Sequence, residues 1–387
     1  MTNKNRNGTL KSKTLTLRCM LLKTIDKYIL KKFIGTFVFS IMLITVIVVI
    51  FDISEKIDNF IHASMHEIIF DHYLNFIPFI TNKLAPLFTF ISVIFFTSKM
   101  ATRYETVAIL SSGVKYTRFL RPYVIGAALI TLTSLYLSHF VIPKANRQKQ
   151  AFEDKYINNH YETQERNIHR QLDKESKLYM ESYSNQDKRG NRFTIEKIKD
   201  FKQIYFLSAD WIQWDSVKQT WTAHNYYERI MHEDNSKKTA AEKYKEEIKF
   251  GIDKEIKMDF LPADMGRIES KVEIMTYPEL KIFIAKEREK GASGIERFEV
   301  ENYNRTAFPF ATFILTIMGV CISSRKVRGG IGMHLAIGLL LAASYVLFLQ
   351  VSSIFAVNGI MPPLLAVWIP NFLYGGVAFY LYKSAQK

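Results

Sequence analysis

Residues 329–382 read GGIGMHLAIGLLLAASYVLFLQVSSIFAVNGIMPPLLAVWIPNFLYGGVAFYLY and contain no Asp, Glu, Lys or Arg. A turn-like break, Asn358-Gly359-Ile360-Met361-Pro362-Pro363, divides the run in two. Each half is about 20 residues or more, enough to cross ~30 Å of hydrocarbon at ~1.5 Å per residue. The run therefore predicts two membrane-spanning helices joined by a tight loop.

Working outward, 33–51, 122–143 and 306–324 are also uncharged, and 72–98 carries one charge, Lys83. That makes six spans in two groups of three. The polar stretch 144–300 separates the groups. The first apolar run is longer than a signal-peptide core of ~7–15 residues and no small-residue cleavage site follows it, so it reads as a retained helix. Residues 1–19 are basic and read as an extension without structural consequence, Met20 being a sensible alternative start.

The formal charge of +15 is unevenly placed. The stretch 144–300 nearly balances 30 basic against 29 acidic residues, so the excess sits on the flanks of the spans. With the N-terminus cytoplasmic, the inside segments hold nineteen Lys and Arg, and the short loops 52–71 and 356–362 hold one, Lys56. The positive-inside rule then places both termini in the cytoplasm and 144–300 outside. Attraction to anionic headgroups explains the high pI better than nucleic acid does. Cys19 and Cys321 are the two cysteines, and the outside stretch has none, so no disulfide framework is implied.

The outside stretch reads as strands at 177–183, 192–198, 203–214, 220–231 and within 248–261, with turn residues at 187–190 between two of them. Short strands at this spacing favour an antiparallel sandwich or curved sheet. Tyr205, Phe206, Trp211, Trp214 and Trp221 fit an ordinary sheet core better than a lipid groove. The charged run 234–247 reads as a loop or short helix. Thr276-Tyr277-Pro278-Glu279 fits a capping box opening a helix that ends near Gly291.

Enzyme signatures are missing. No GxxxxGK[ST], HExxH or GxSxG occurs. His62, His66 and His72 lack a convincing acid or Cys partner for a metal. Neither metal nor cofactor is expected. Two features stand out instead. Lys83, near Pro78, Asn82 and Pro86, is a cation at membrane depth, which costs ~2.5 kcal/mol or more. It either meets an anionic substrate in a cavity, or snorkels or pairs with a carbonyl freed by Pro86. Residues 99–121 predict a short helix over 102–110, stopped at Ser111-Ser112-Gly113. That helix either docks on a cytoplasmic partner or lies on the membrane.

Several motifs, in order, resemble the LptF/LptG permease family, the membrane subunits of the lipopolysaccharide-export ABC transporter. They are Asp26-Lys27-Tyr28-Ile29-Leu30-Lys31-Lys32-Phe33, then Pro78 and Pro86, then Arg103-Tyr104-Glu105 and Ser112-Gly113. Arg305 before Ala307-Phe308-Pro309-Phe310, Met361-Pro362-Pro363 and Trp368-Ile369-Pro370-Asn371 complete the series. The resemblance covers 20–387. It implies a six-helix membrane protein (3+3) with an inserted antiparallel β-jellyroll-like periplasmic domain in the bacterial inner membrane. The divisions are a cytoplasmic segment 1–32, spans 1–3 over 33–143 with a coupling helix near 101–113, a periplasmic β domain with a following helix over 144–300, and spans 4–6 over 301–387. It further implies a non-catalytic subunit paired with a paralogue, powered by a separate ATPase, LptB. Lipopolysaccharide would pass to an LptC/LptA bridge. Glu105, flanked by Arg103, Ser112 and Gly113, would contact the ATPase. Family members often carry cations at the outer end of the first span. Here that region reads Val48-Val49-Ile50-Phe51-Asp52, which leaves Lys56, Lys83, Lys144, Arg147 and Lys149 as candidates for lipid phosphates. The compact length leans towards the G type. The alternative function is a membrane-anchored scaffold, which needs neither a cation in a span nor a coupling helix. A proton-coupled carrier would want an acid within a span.

Overall fold

The computed structural model describes residues 23–157, 165–184, 187–233, 244–258, 260–262, 272–292, 294–327 and 329–385. The expectations for 1–19, for Cys19 and for most of the run 234–247 fall outside them. Among the described residues, six helices are long and apolar enough to span a membrane. They are α1 (Thr24–Phe60), α2 (Met65–Thr102), α4 (Tyr116–Tyr156), α6 (Ile295–Ser323), α7 (Gly330–Val357) and α8 (Pro363–Ala385). Two shorter helices are α3 (Glu105–Ser111) and α5 (Tyr277–Lys290).

Several helices overrun the spans read from composition. The first continues to Phe60, so Lys56 lies on a helix rather than in a loop. The third runs on to Tyr156, which places Lys144, Arg147 and Lys149 on a helical extension of the span. Two stretches of π-helix interrupt the ladders, Ile68–Tyr73 in α2 and Leu137–Val141 in α4. Pro78 and Pro86 lie inside α2, and Pro309 inside α6.

Side chains bridge the spans beside these breaks. Asn82 donates to Ser138 Oγ at 2.9 Å and accepts from Ser134 at 2.6 Å, joining α2 to α4. Thr131 of α4 donates to the Pro309 carbonyl at 3.3 Å. Asn371 of α8 donates to the Ala307 carbonyl (2.9 Å) and accepts from the Tyr345 hydroxyl (3.0 Å), tying α6, α7 and α8 together. Small residues let the helices close up. A Cβ on Gly126 would sit 2.6 Å from the Phe33 ring, and one on Gly338 would collide with Ile94. By contrast, α1 leaves Phe39, Met42, Val46, Ile50 and Phe51 exposed along its length.

Between α4 and α5 the chain forms one six-stranded antiparallel sheet, β1 (Glu165–Gln171), β2 (Ser176–Ser184), β3 (Arg189–Lys199), β4 (Lys202–Asp215), β5 (Thr220–Glu233) and β6 (Tyr244–Ile256). The strands follow sequence order, so the expected β domain takes the form of a single meander. β1 was not anticipated: among the described side chains of ERNIHRQ, Ile168 alone is buried in the core.

Sequence alternation in these strands is imperfect for a structural reason. Asn167 (φ 58°), Arg192 (φ 47°) and Asn225 (φ 53°) are left-handed residues on alternate strands. The registers place them in one row with Glu181 and Asp210. Across that row the inward face changes phase. Leu207 and Ala209 point to the core before it, and Ile212 after it. The sheet is thus creased perpendicular to its strands. Trp221 is fully buried, its indole N–H donating to the Phe260 carbonyl at 2.7 Å, and Tyr205 and Trp214 pack against the same core. Trp211 instead lies between His224 (3.6 Å) and the Arg189 guanidinium (4.1 Å), and Phe206 beside Tyr227 (6.2 Å). The aromatics therefore divide between a core and a second face.

The crease predicts an inverted propensity at one position. Val normally suits a strand better than Gly. Here Asn225→Val should destabilise the chain by about 1–2 kcal/mol, the cost of a left-handed non-Gly residue, while Asn225→Gly should cost less. Thermal unfolding of the two purified variants checks this. A Val variant more stable than the Gly variant would rule out strain at the crease.

Candidate functional site

At the end of the bundle nearest the sheet, charged residues from three spans converge. Lys56 of α1 pairs with Asp52 at 2.7 Å, one helical turn before it, and with Glu153 of α4 at 3.4 Å. Lys149, one turn before Glu153, lies 3.8 Å from the same carboxylate. Two rings of α2 sit under the ammonium groups. Lys56 and Lys149 are 5.9 and 5.7 Å from the Phe76 centroid. Lys149 and Lys83 are 5.2 and 5.5 Å from that of Phe79. Lys83 is exposed on α2 and, among the described residues, has no hydrogen-bond or ion-pair partner. The carbonyl pairing considered for it is therefore not formed.

Asp52 organises this end. It accepts from His72 Nε2 at 2.9 Å and from the Tyr73 hydroxyl at 3.1 Å, besides holding Lys56. His72 is fully buried, stacked on Phe76 at 5.8 Å and edged by Phe60 and Phe152. The three histidines do not make a metal centre. His66 stacks on Phe70, His72 turns to Asp52, and among the described residues no three candidate ligands come together. Asp52 and Glu153 were not singled out from sequence, and His72 was considered there only as a metal ligand. The i,i+4 pairs Asp52/Lys56 and Lys149/Glu153 were the available signal.

The five candidate cations therefore separate. Lys56, Lys83 and Lys149 surround Phe76 and Phe79. Arg147 points elsewhere, to Glu279 of α5 at 3.0 Å and to the Ile274 carbonyl at 3.5 Å. Lys144 is exposed on the helix and joins neither group. Chemically, the cluster presents three ammonium groups against two carboxylates in a partly dry, aromatic setting. Charge there is screened less than in water, so an anion of high charge density can compete for the ammonium groups.

The opposite end carries the other candidates. α2 stops at Thr102, not within the short helix, because Tyr104 turns left-handed (φ 59°). α3 starts at Glu105 and ends before Gly113, which is also left-handed (φ 83°) and whose N–H reaches the Leu110 carbonyl at 3.2 Å. Two long-range bonds hold this seven-residue helix. Tyr28 of α1 donates to the Glu105 carboxylate at 3.2 Å, and Lys326, after α6, donates to the Tyr104 hydroxyl at 2.5 Å. Lys326 also holds the Tyr104 phenol below its ordinary pKa. Arg103 and Ser112 are exposed at the two ends, and Val107 presents an apolar side chain outward. A cleft of about 590 Å³ lies beside α3, lined by Lys23, Asp26, Lys115, Arg118 and Arg121 among others. The buried Asp26 there is already engaged by Arg118 at 2.5 Å.

The Asp52 network predicts an interaction energy. Asp52→Asn and His72→Phe should each destabilise the fold, and their double-mutant cycle should show a coupling of about 1–2 kcal/mol, within the range for directly bonded partners. Thermal unfolding in detergent measures it, and strict additivity would mean that the 2.9 Å contact carries no energy.

A comparison with protein families matches residues 27–384 to the model described as lipopolysaccharide export system permease LptF/LptG. No curated protein sequence matches the chain.

Proposed function

The chain belongs to the lipopolysaccharide export system permease LptF/LptG family, and from that premise we propose that it is one of two paired permease subunits of an ABC-type exporter. It is a multi-pass membrane protein with an inserted antiparallel sheet. In the proposed reading it sits in a bacterial inner membrane with the sheet in the periplasm, as the Lys and Arg asymmetry supports. It takes lipopolysaccharide from the outer leaflet and passes it to a periplasmic bridge of the LptC/LptA kind. ATP is hydrolysed by a separate LptB-like partner.

The observation that carries this reading is the convergence of Lys56, Lys83 and Lys149 on Phe76 and Phe79. A lipid with phosphates and acyl chains needs cations and apolar surface side by side. Asp52 and Glu153 neutralise part of the charge while the site is empty, which lowers the cost of holding three ammonium groups near hydrocarbon. An arriving phosphate then exchanges with carboxylates rather than adding to bare charge. The exposed apolar flank of α1 suits a paralogous subunit closing the other side of the cavity.

The second half of the reading concerns energy input. Arg103, Glu105, Ser112 and Gly113 define a short, bracketed helix at the basic end, and Tyr28 uses one Glu105 oxygen, which leaves the other to accept from a donor on the ATPase. Glu105→Ala should weaken ATPase co-purification by at least about tenfold, the worth of one charge-assisted hydrogen bond. Glu105→Gln should retain part of it. Undiminished co-purification with Glu105→Ala would remove this residue from the coupling surface.

For the substrate, Lys83→Ala with Lys149→Ala should lower photocrosslinking of lipopolysaccharide to the purified complex by about thirtyfold, two contacts being worth ~1 kcal/mol each. ATPase binding should persist, since neither residue lies near α3. Lys83→Arg should crosslink better than Lys83→Ala. Equal crosslinking in wild type and double variant would show that phosphates are held elsewhere.

A further inference from the structure

The chain leaves the bundle for the sheet along α4 and re-enters it through residues 272–275, ahead of α5 and α6. Residues 272–274 form the last turn of a helix. The carbonyls at a helix end have no partners within the helix. Here side chains from the spans reach the carbonyls of residues 272–275, that of Val272 also accepting from the Met275 N–H at 3.3 Å. Arg305 of α6 donates Nη2 to the Val272 carbonyl at 2.6 Å and Nη1 to that of Met275 at 2.7 Å. Asn146 of α4 donates to the Glu273 carbonyl at 3.4 Å, and Arg147 to that of Ile274 at 3.5 Å. The Arg305 side chain is only 6% exposed. A buried guanidinium is costly unless its donors are used, and a positive charge at a helix C-terminus is favourable. Its Nε donates to Glu301, one turn earlier on the same helix, at 3.4 Å.

Thr306, next to Arg305, lies 3.3 Å from His139 of the π-helical stretch in α4, and His139 meets the Tyr277 ring edge-on at 5.2 Å. The return segment is thus gripped by α4 and α6 together. It also lies within electrostatic reach of the cation cluster. The Glu273 carboxyl is pushed up by desolvation and by Glu301, against the pull of Lys149, Lys83 and Arg305.

We propose that Arg305 is a positioning residue of the transport cycle: by holding the Val272 and Met275 carbonyls it makes the return segment move with α6, so that rearrangement of the spans is delivered to the sheet domain. This rests on the export reading above. A tie of this kind affects neither lipid loading at the cluster nor ATP hydrolysis at the other end. It affects the step between them.

The test uses the full complex in proteoliposomes loaded with lipopolysaccharide. Three quantities are followed: crosslinking through Phe79→p-benzoylphenylalanine, ATP hydrolysis, and lipid delivered to an acceptor on the sheet side. In Arg305→Gln, crosslinking and hydrolysis should stay within about twofold of wild type while delivery falls about tenfold, a coupling loss of the size seen along connected networks. Arg305→Lys should rescue little, because one ammonium group cannot take both carbonyls in the fork geometry of a guanidinium. Unchanged delivery in Arg305→Gln would overturn the proposal. So would full rescue by Lys, or a parallel fall in all three quantities, which would mark a general structural role. Failure of the probe-bearing complex with Arg305 intact to crosslink the lipid, or of the wild-type complex to deliver it, would instead overturn the export reading, and the role of Arg305 with it.

Discussion

A backbone group left open inside hydrocarbon has no water to turn to, and each such group costs several kcal/mol. This chain opens its ladders repeatedly, at Pro78, Pro86 and Pro309 and at two π-helical stretches. Polar side chains bridge the spans near these openings. Asn82, Ser134 and Ser138 meet beside the irregular part of α4, and Asn371 and Thr131 take carbonyls near Pro309. Each of those bonds runs between helices. The breaks in individual ladders thus lie close to the bonds that join the helices. The short motifs read at the fourth and sixth spans meet, since Asn371 bonds directly to the carbonyl of Ala307.

Much of the architecture was legible because hydrocarbon imposes a coarse rule: long uncharged runs must be helices. The six spans follow from that rule alone. Their ends do not, since beyond the apolar core a helix continues or stops on local contacts. Lys56 continues a helix because Asp52 and Glu153 hold it. Thr102 ends one because Tyr104 goes left-handed, a choice that the residue type gives no reason to expect. In the sheet, period-two reasoning located five strands but was confused by the crease, where the inward face changes phase at Arg192 and Asn225. β1 was missed because its one core residue, Ile168, leaves no alternation to read.

The candidate site was half legible. Residue type identified the cations, but not which of them meet. Arg147 and Lys149 are two positions apart on one helix, so they face different directions. One joins the aromatic cluster and the other grips the return segment. The acids that pair with the cations, Asp52 and Glu153, had no part in the site as read from sequence. In three dimensions they are what allows several ammonium groups to share a small space near the membrane.

The anchoring of α3 has one more consequence. Its first residue is bonded to Tyr28, near the start of the chain, and the residue before it to Lys326, in the link between the fourth and fifth spans. A load applied to this short helix is therefore divided at its origin between the two halves of the bundle. The halves are pulled in concert, and neither has to drag the other through lipid.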